Sequence, residues 1–220
     1  FILVVIVLGI IVTLVAANGF NAVAKFSSAC VPWMIIVFLA GFCVVVPQLI
    51  QITGSEGIHG FGDFMNLMNT SVWSGEIMEG GPDLSIFHVI GFAWMCNLAY
   101  HGGLNDMALF RYAKSAKYGF VTCYGMFIGH FFAWGSAGIM GATAALMLNQ
   151  SLLIKDSGAI TSAVLGGTGL LAVIIAGWTT ANPSIYRASL AYGSVFEKVS
   201  SKKLTYMVGA FMTVVACFPI

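Results

Sequence analysis

Charge is what this chain has least of. Lys, Arg, Asp and Glu together make up 8% of its 220 residues, against about 25% in a soluble domain. So little charge cannot cover a water-facing surface of ordinary size, which excludes a soluble globular protein. Net charge is only +1 and no basic patch stands out, which removes nucleic acid from the list of partners. Paired cysteine spacing is also missing. Cys30, Cys43, Cys96, Cys123 and Cys217 each stand alone in or beside apolar runs, and they read as buried, reduced thiols rather than disulfides or metal ligands. The histidines at 59, 88, 101 and 130 form no ligand pair at helical spacing. No HExxH, GxSxG or phosphate-loop pattern occurs, so nothing points to an enzyme or to a resident cofactor.

Apolar residues fill the space that charge leaves. They make up 59% of the chain, and mean hydropathy is +0.95. The chain reads as an all-α integral membrane protein, multi-pass, with the lipid bilayer as its main partner and the cell membrane as its place. A bilayer core takes about 20 apolar residues per helix. Six runs approach that length: 1–17, 30–52, 84–110, 118–148, 158–186 and 204–220. The first run is entered at Phe1 and the last is left at Ile220 with the hydrophobic pattern still in force. No signal-peptide n-region precedes the first. The expectation is therefore a central piece of a longer helical array.

The segments between runs alternate in charge. Lys25, Arg111, Lys114, Lys117, Arg187, Lys198, Lys202 and Lys203 fall on one side, eight of the nine basic residues. The other side holds Lys155 and the loop 54–83, which carries Glu56, Asp63, Glu76, Glu79 and Asp83 without a single Lys or Arg. The positive-inside rule makes the basic side cytoplasmic. The acidic loop reads first as a solvated loop with a few membrane anchors such as Trp73, and second as a short interfacial helix or lid.

Two runs are more polar than lipid contact allows. In the fourth run, by contrast, Gly125, Gly129, Ala133, Ala137 and Gly141 recur every four residues, a stripe that admits another helix closely; His130 there reads as a packing residue. The third run holds His88, Asn97, His101, Asn105 and Asp106, with Gly91 and the Gly102–Gly103 pair weakening it at two points. Glycine-interrupted hydrophobic segments are pointers to transporter binding sites. Trp94 and Asn97 stand three apart and share a face. An indole and an amide together suit a flat polar heterocycle, one stacking and the other hydrogen bonding. Equally, Trp94 and Phe92 are core packing and Asn97 joins helices. Asp106 with Arg111 reads as an ion pair at the cytoplasmic end, structural in role.

The fifth run contains Ala176 followed by the adjacent hydroxyls of Thr179 and Thr180, then Asn182 and Pro183. The proline removes a helix donor and frees a carbonyl. Two hydroxyls and a carbonyl on one helix face are hard oxygen ligands of the kind small cations prefer.

Two motifs, Trp178-Thr-Thr-Ala-Asn-Pro-Ser-Ile-Tyr-Arg-Ala-Ser-Leu190 and Asn105-Asp-Met-Ala-Leu-Phe-Arg-Tyr-Ala-Lys114, resemble segments of the nucleobase:cation symporter family, the purine–cytosine permease and hydantoin permease group. The first resembles the family's eighth helix and the second the end of its sixth. In the second, Asp106 and Arg111 stand farther apart than the matching pair in relatives. The resemblance covers nearly the whole chain as family helices four to nine.

It implies a partial LeuT-like inverted-repeat fold with a site at mid-membrane. Residues 1–53 would be the last two helices of the first repeat, 54–83 an external loop, and 84–220 the first four helices of the second. It also implies a sodium site using the Ala176 carbonyl and the Thr179 and Thr180 hydroxyls, with Na⁺ as coupling ion. Asn182 would read the substrate, with Trp94, and Phe92 second, as its aromatic platform. The expected activity is import of a nucleobase or related planar heterocycle (cytosine, a purine, hydantoin, allantoin or a vitamin pyrimidine) by cation symport. Two other readings stand beside it: a symporter of the same fold for an amino acid or amine, and a non-transporting membrane scaffold or sensor. The sequence fixes no oligomeric state.

Overall fold

The computed structural model describes residues 2–73, 75, 83–101, 107–149 and 156–218. Every regular element in it is helical: α1 (Ile2–Ala17), α2 (Phe20–Cys43), α3 (Val45–Thr53), α4 (Phe61–Leu67), α5 (Ile86–His101), α6 (Met107–Phe110), α7 (Tyr118–Leu148), α8 (Ser157–Leu165), α9 (Gly167–Val195) and α10 (Ser201–Ala216). Two stretches, Phe20–Thr53 and Tyr118–Leu148, are long and apolar enough to cross a membrane.

The apolar runs and the helices differ where a special backbone or a polar turn intervenes. α2 begins ten residues before its run and passes through Asn21, Lys25 and Ser27–Ser28, where hydropathy drops. The fifth run is two helices rather than one. Gly166, at φ +60, ends α8, and α9 starts at the next residue. Glycine occupies that left-handed region without the steric cost that a Cβ brings. α8 is capped by the Asp156 carboxylate, which accepts from the Ala159 N–H at 2.7 Å. The Ser200 hydroxyl caps α10 in the same way.

The chain packs as two compact units. In the first, formed by 1–32, 101–114 and 174–220, the core joins Val12 and Ala16 of α1, Val23 of α2, and Ile185 and Tyr186 of α9. α1 and α10 run antiparallel and meet through a reciprocal pair. Gly9 of α1 faces Thr213 of α10, and Gly209 of α10 faces Thr13 of α1. A Cβ at either glycine would collide with the opposing threonine side chain. Each threonine also donates 2.7 Å to the carbonyl of the glycine four residues before it on its own helix. The two helices thus carry the same Gly-x-x-x-Thr element and present it to each other about a local twofold.

In the second unit, 33–100 and 115–173, the core joins Val45, Val46 and Leu49 of α3, Leu67 of α4, Ile139, Met140 and Ala144 of α7, and Val164 of α8. The acidic loop is therefore not merely solvated. It contains α4, which continues as a wide π turn over Met68–Val72 and buries Leu67 in the core. A short helix is present in the loop, as the second of the two readings expects. The close approach on α7 also differs from the expected stripe. Gly125 and Gly129 have open space around them, whereas Gly41 of α2 is pressed against Ser136. Beside these apolar cores, polar side chains are buried and large apolar ones are exposed in both units. Thr13, Ser136, Thr143, Asn182, Ser189 and Thr205 are buried, while Leu3, Phe120, Phe127 and Phe131 are each more than 70% exposed. Of the five cysteines Cys30 alone is buried; Cys43 and Cys123 are exposed, and none is in a disulfide.

Candidate functional site

The polar turn of α9 gathers the chemistry. Thr179 Oγ1 donates to the Ala176 carbonyl at 2.8 Å, and Thr180 Oγ1 donates to the same carbonyl at 3.1 Å. A threonine bonding back to a carbonyl three or four residues earlier is ordinary in helices, and Thr13, Thr53 and Thr143 do so here. Two hydroxyls sharing one carbonyl is not ordinary. Among the described residues Ala176 alone receives two side-chain hydroxyls. The three expected cation ligands therefore converge within one helical turn. A cation bound there would take the hydroxyl lone pairs once the hydrogens rotate away from the carbonyl. Thr180 is exposed and Thr179 half-buried, so the group is reachable.

Pro183 follows within the turn. Lacking an N–H, it removes the helix donor of the Thr179 carbonyl. Ser184 Oγ then donates 2.8 Å to the Thr180 carbonyl. Asn182 is fully buried, and neither Nδ2 nor Oδ1 has a hydrogen-bond partner. Leaving a buried polar group unpaired costs about 1–3 kcal/mol. One turn earlier on the same face, Trp178 Nε1 is also buried and unpaired, with the ring of Phe26 at 6.0 Å. Sequence reasoning passed over Trp178, although its spacing of four from Asn182 was there to be read.

At the far end of the same face, Tyr186 is buried and its hydroxyl meets two groups. Arg111 Nη2 donates to it at 3.1 Å, and the Tyr112 hydroxyl lies 3.1 Å away. Arg111 also donates to the Tyr112 hydroxyl, and Phe20 stacks on the Tyr112 ring at 4.3 Å. Hydrogen bonding to Tyr112 and then Tyr186 raises the Arg111 pKa further above its ordinary value. The bond from Tyr186 and then that from Arg111 lower that of Tyr112. No sequence spacing announces this cluster. Asp106, the expected partner of Arg111, lies outside the described residues, as do His101's and Asn97's side chains.

The aromatic candidates of α5 lie in the other unit. Phe92 is 68% and Trp94 67% exposed, so neither is core packing. Among the described residues no group of three or more His, Cys, Asp and Glu side chains is arranged to hold a metal. The α9 cluster differs from such groups in using neutral oxygens.

No protein-family model, curated protein or solved structure matches this chain.

Proposed function

We propose that this chain forms part of a sodium-coupled importer of a planar nucleobase-type heterocycle in a multi-pass arrangement in the cell membrane. The observation that carries the reading is the turn 176–182 of α9. Two hydroxyls converge on one carbonyl, and a buried amide two residues later has neither of its polar atoms satisfied. Hard neutral oxygens suit a monovalent cation, and an unpaired buried amide suits a ligand with its own donors and acceptors.

Three further features support it. The exposure of many large apolar side chains fits a lipid solvent. The antiparallel Gly-x-x-x-Thr pair of α1 and α10 fits an inverted repeat, in which equivalent helices of opposite direction face each other about a pseudo-twofold. The exposed rings of Phe92 and Trp94 are available to stack on a solute.

In the proposed mechanism, sodium at the Ala176 carbonyl and the two threonine hydroxyls fixes the turn of α9 and so sets the position of Asn182. Coupling is reciprocal: substrate raises sodium affinity by the factor by which sodium raises substrate affinity. The deciding experiment is uptake of labelled nucleobases, hydantoins and amino acids by cells expressing the intact protein, with and without a sodium gradient. Sodium-dependent uptake of a planar heterocycle is expected. Uptake that follows pH and ignores sodium would remove the cation site. Uptake of amino acids alone would move the substrate to another class, and no uptake would favour a scaffold.

A further inference from the structure

α9 outruns its apolar segment. Residues 167–186 hold no charged side chain and, at about 1.5 Å each, span about 30 Å, the thickness of a hydrocarbon core. The helix then continues through Arg187 to Val195, about 13 Å further, into the headgroup layer. Residues 196–200 lead from α9 to α10, and the Val199 N–H closes a turn there by donating 2.9 Å to the Phe196 carbonyl. α10 enters an apolar run at Leu204. The end of one helix and the start of the next therefore lie together at the edge of the hydrocarbon, on the basic side.

Two kinds of side chain meet at that edge. Lys198, Lys202 and Lys203 are exposed, and within 192–206 the one acidic residue is Glu197. Leu204 and Thr205 are buried, which fixes the rotation of α10 and leaves both of its lysines outward. Tyr192 and Phe196 are exposed and stack on each other, with ring centroids 6.4 Å apart. Tyr206, four residues after Lys202, is exposed as well. Contact with water alone gives three bare aromatic rings no role. A membrane interface does, because amphipathic rings settle at headgroup level, and anionic headgroups attract lysines placed just outside the hydrocarbon. Three lysines are too few to hold a nucleic acid, which engages about 6–10 phosphates. We propose that Tyr192, Phe196, Lys198, Lys202, Lys203 and Tyr206 form a docking surface for the headgroup of an anionic lipid in the cytoplasmic leaflet. This rests on the reading of the chain as a multi-pass membrane protein and adds a lipid partner to it.

The test is native mass spectrometry of the intact protein, purified in detergent and titrated with phosphatidylglycerol, phosphatidylcholine or glycerol 3-phosphate. Phosphatidylglycerol is expected to bind about tenfold more tightly than phosphatidylcholine, and the free headgroup is expected not to displace it. Each lysine near an anionic surface contributes about fivefold in affinity. Lys198→Gln, Lys202→Gln and Lys203→Gln combined are therefore expected to weaken phosphatidylglycerol binding on the order of a hundredfold and to leave phosphatidylcholine binding unchanged. Arg at the same three positions keeps the charge and is expected to keep the binding. The lipid comparison uses the unaltered protein, so it decides the matter even if the Gln variant misfolds. Equal binding of the two lipids, or a Gln variant without effect, overturns the docking surface while leaving a membrane protein in place. Displacement of the lipid by glycerol 3-phosphate overturns lipid as the occupant in favour of a soluble phosphate compound. Recovery of the intact protein from cells without detergent overturns both the surface and the membrane reading.

Discussion

α5 and α9 are the two helices whose sequences carry more polarity than lipid tolerates, and their described side chains face differently. α9 buries Asn182, Tyr186 and Ser189 and leaves only part of their hydrogen-bonding capacity satisfied. α5 turns Phe87, Phe92, Trp94 and Met95 outward. In α9 the apolar face is shared with α1 and α2, so the polar atoms between are trapped at a cost. In α5 large aromatics are exposed, where burial contributes nothing to the fold. The lesson is that polarity within an apolar run does not by itself locate a site. Unmet hydrogen bonding does so on α9, whereas on α5 the candidates are unemployed rings.

The largest effect expected is at Asn182. Asn182→Leu removes two unpaired buried polar atoms at similar volume, so the fold should gain about 1–3 kcal/mol while substrate uptake is lost. Thermal unfolding in detergent beside uptake would show both; loss of stability together with uptake would make Asn182 a structural residue. Next is Thr180→Ala, which takes one hydroxyl from the Ala176 carbonyl and leaves that of Thr179. Sodium affinity should fall about tenfold, and substrate affinity should lose its sodium dependence by the same factor. Unchanged sodium titration of uptake would remove Thr180 from the site.

On α5, Trp94→Ala should cost less than about 0.5 kcal/mol of stability because the ring is exposed. Substrate affinity should fall about two- to tenfold if the ring stacks on the solute. No change in either would leave Trp94 as a lipid-facing side chain and sharpen the contrast between the helices. The smallest effect is at Arg111. Its partners are tyrosine hydroxyls and it is exposed, so Arg111→Gln should shift stability by under about 0.5 kcal/mol and leave both substrate affinity and sodium dependence intact. A large shift in unfolding midpoint would mean that the Arg111–Tyr186 contact holds α9 in place.

Much of the helical order is legible in the sequence because hydropathy and helix length coincide for an element with no polar turn. α7 occupies 118–148, and α1 fills the first run. Legibility fails where backbone geometry decides. The φ of Gly166 divides the fifth run, and a wide turn after α4 folds the acidic loop onto the core. For the site, Ala176, Thr179 and Thr180 meet because three- and four-residue spacing alone brings them together. Asn182 was legible as a candidate, but its lack of partners was not, since that depends on tertiary packing around it. The Arg111–Tyr186 contact joins residues 75 apart in sequence, and no local pattern encodes it.

The reciprocal glycine–threonine pair has a mechanical consequence. Sliding α1 along α10 in either direction would drive a threonine methyl out of one glycine notch and against the neighbouring backbone, and the twofold arrangement blocks both directions at once. The two helices are keyed like a mortise and tenon cut twice. Within their unit the paired notches hold the two helices in one register, with Pro183 as the helix-weakening residue of neighbouring α9.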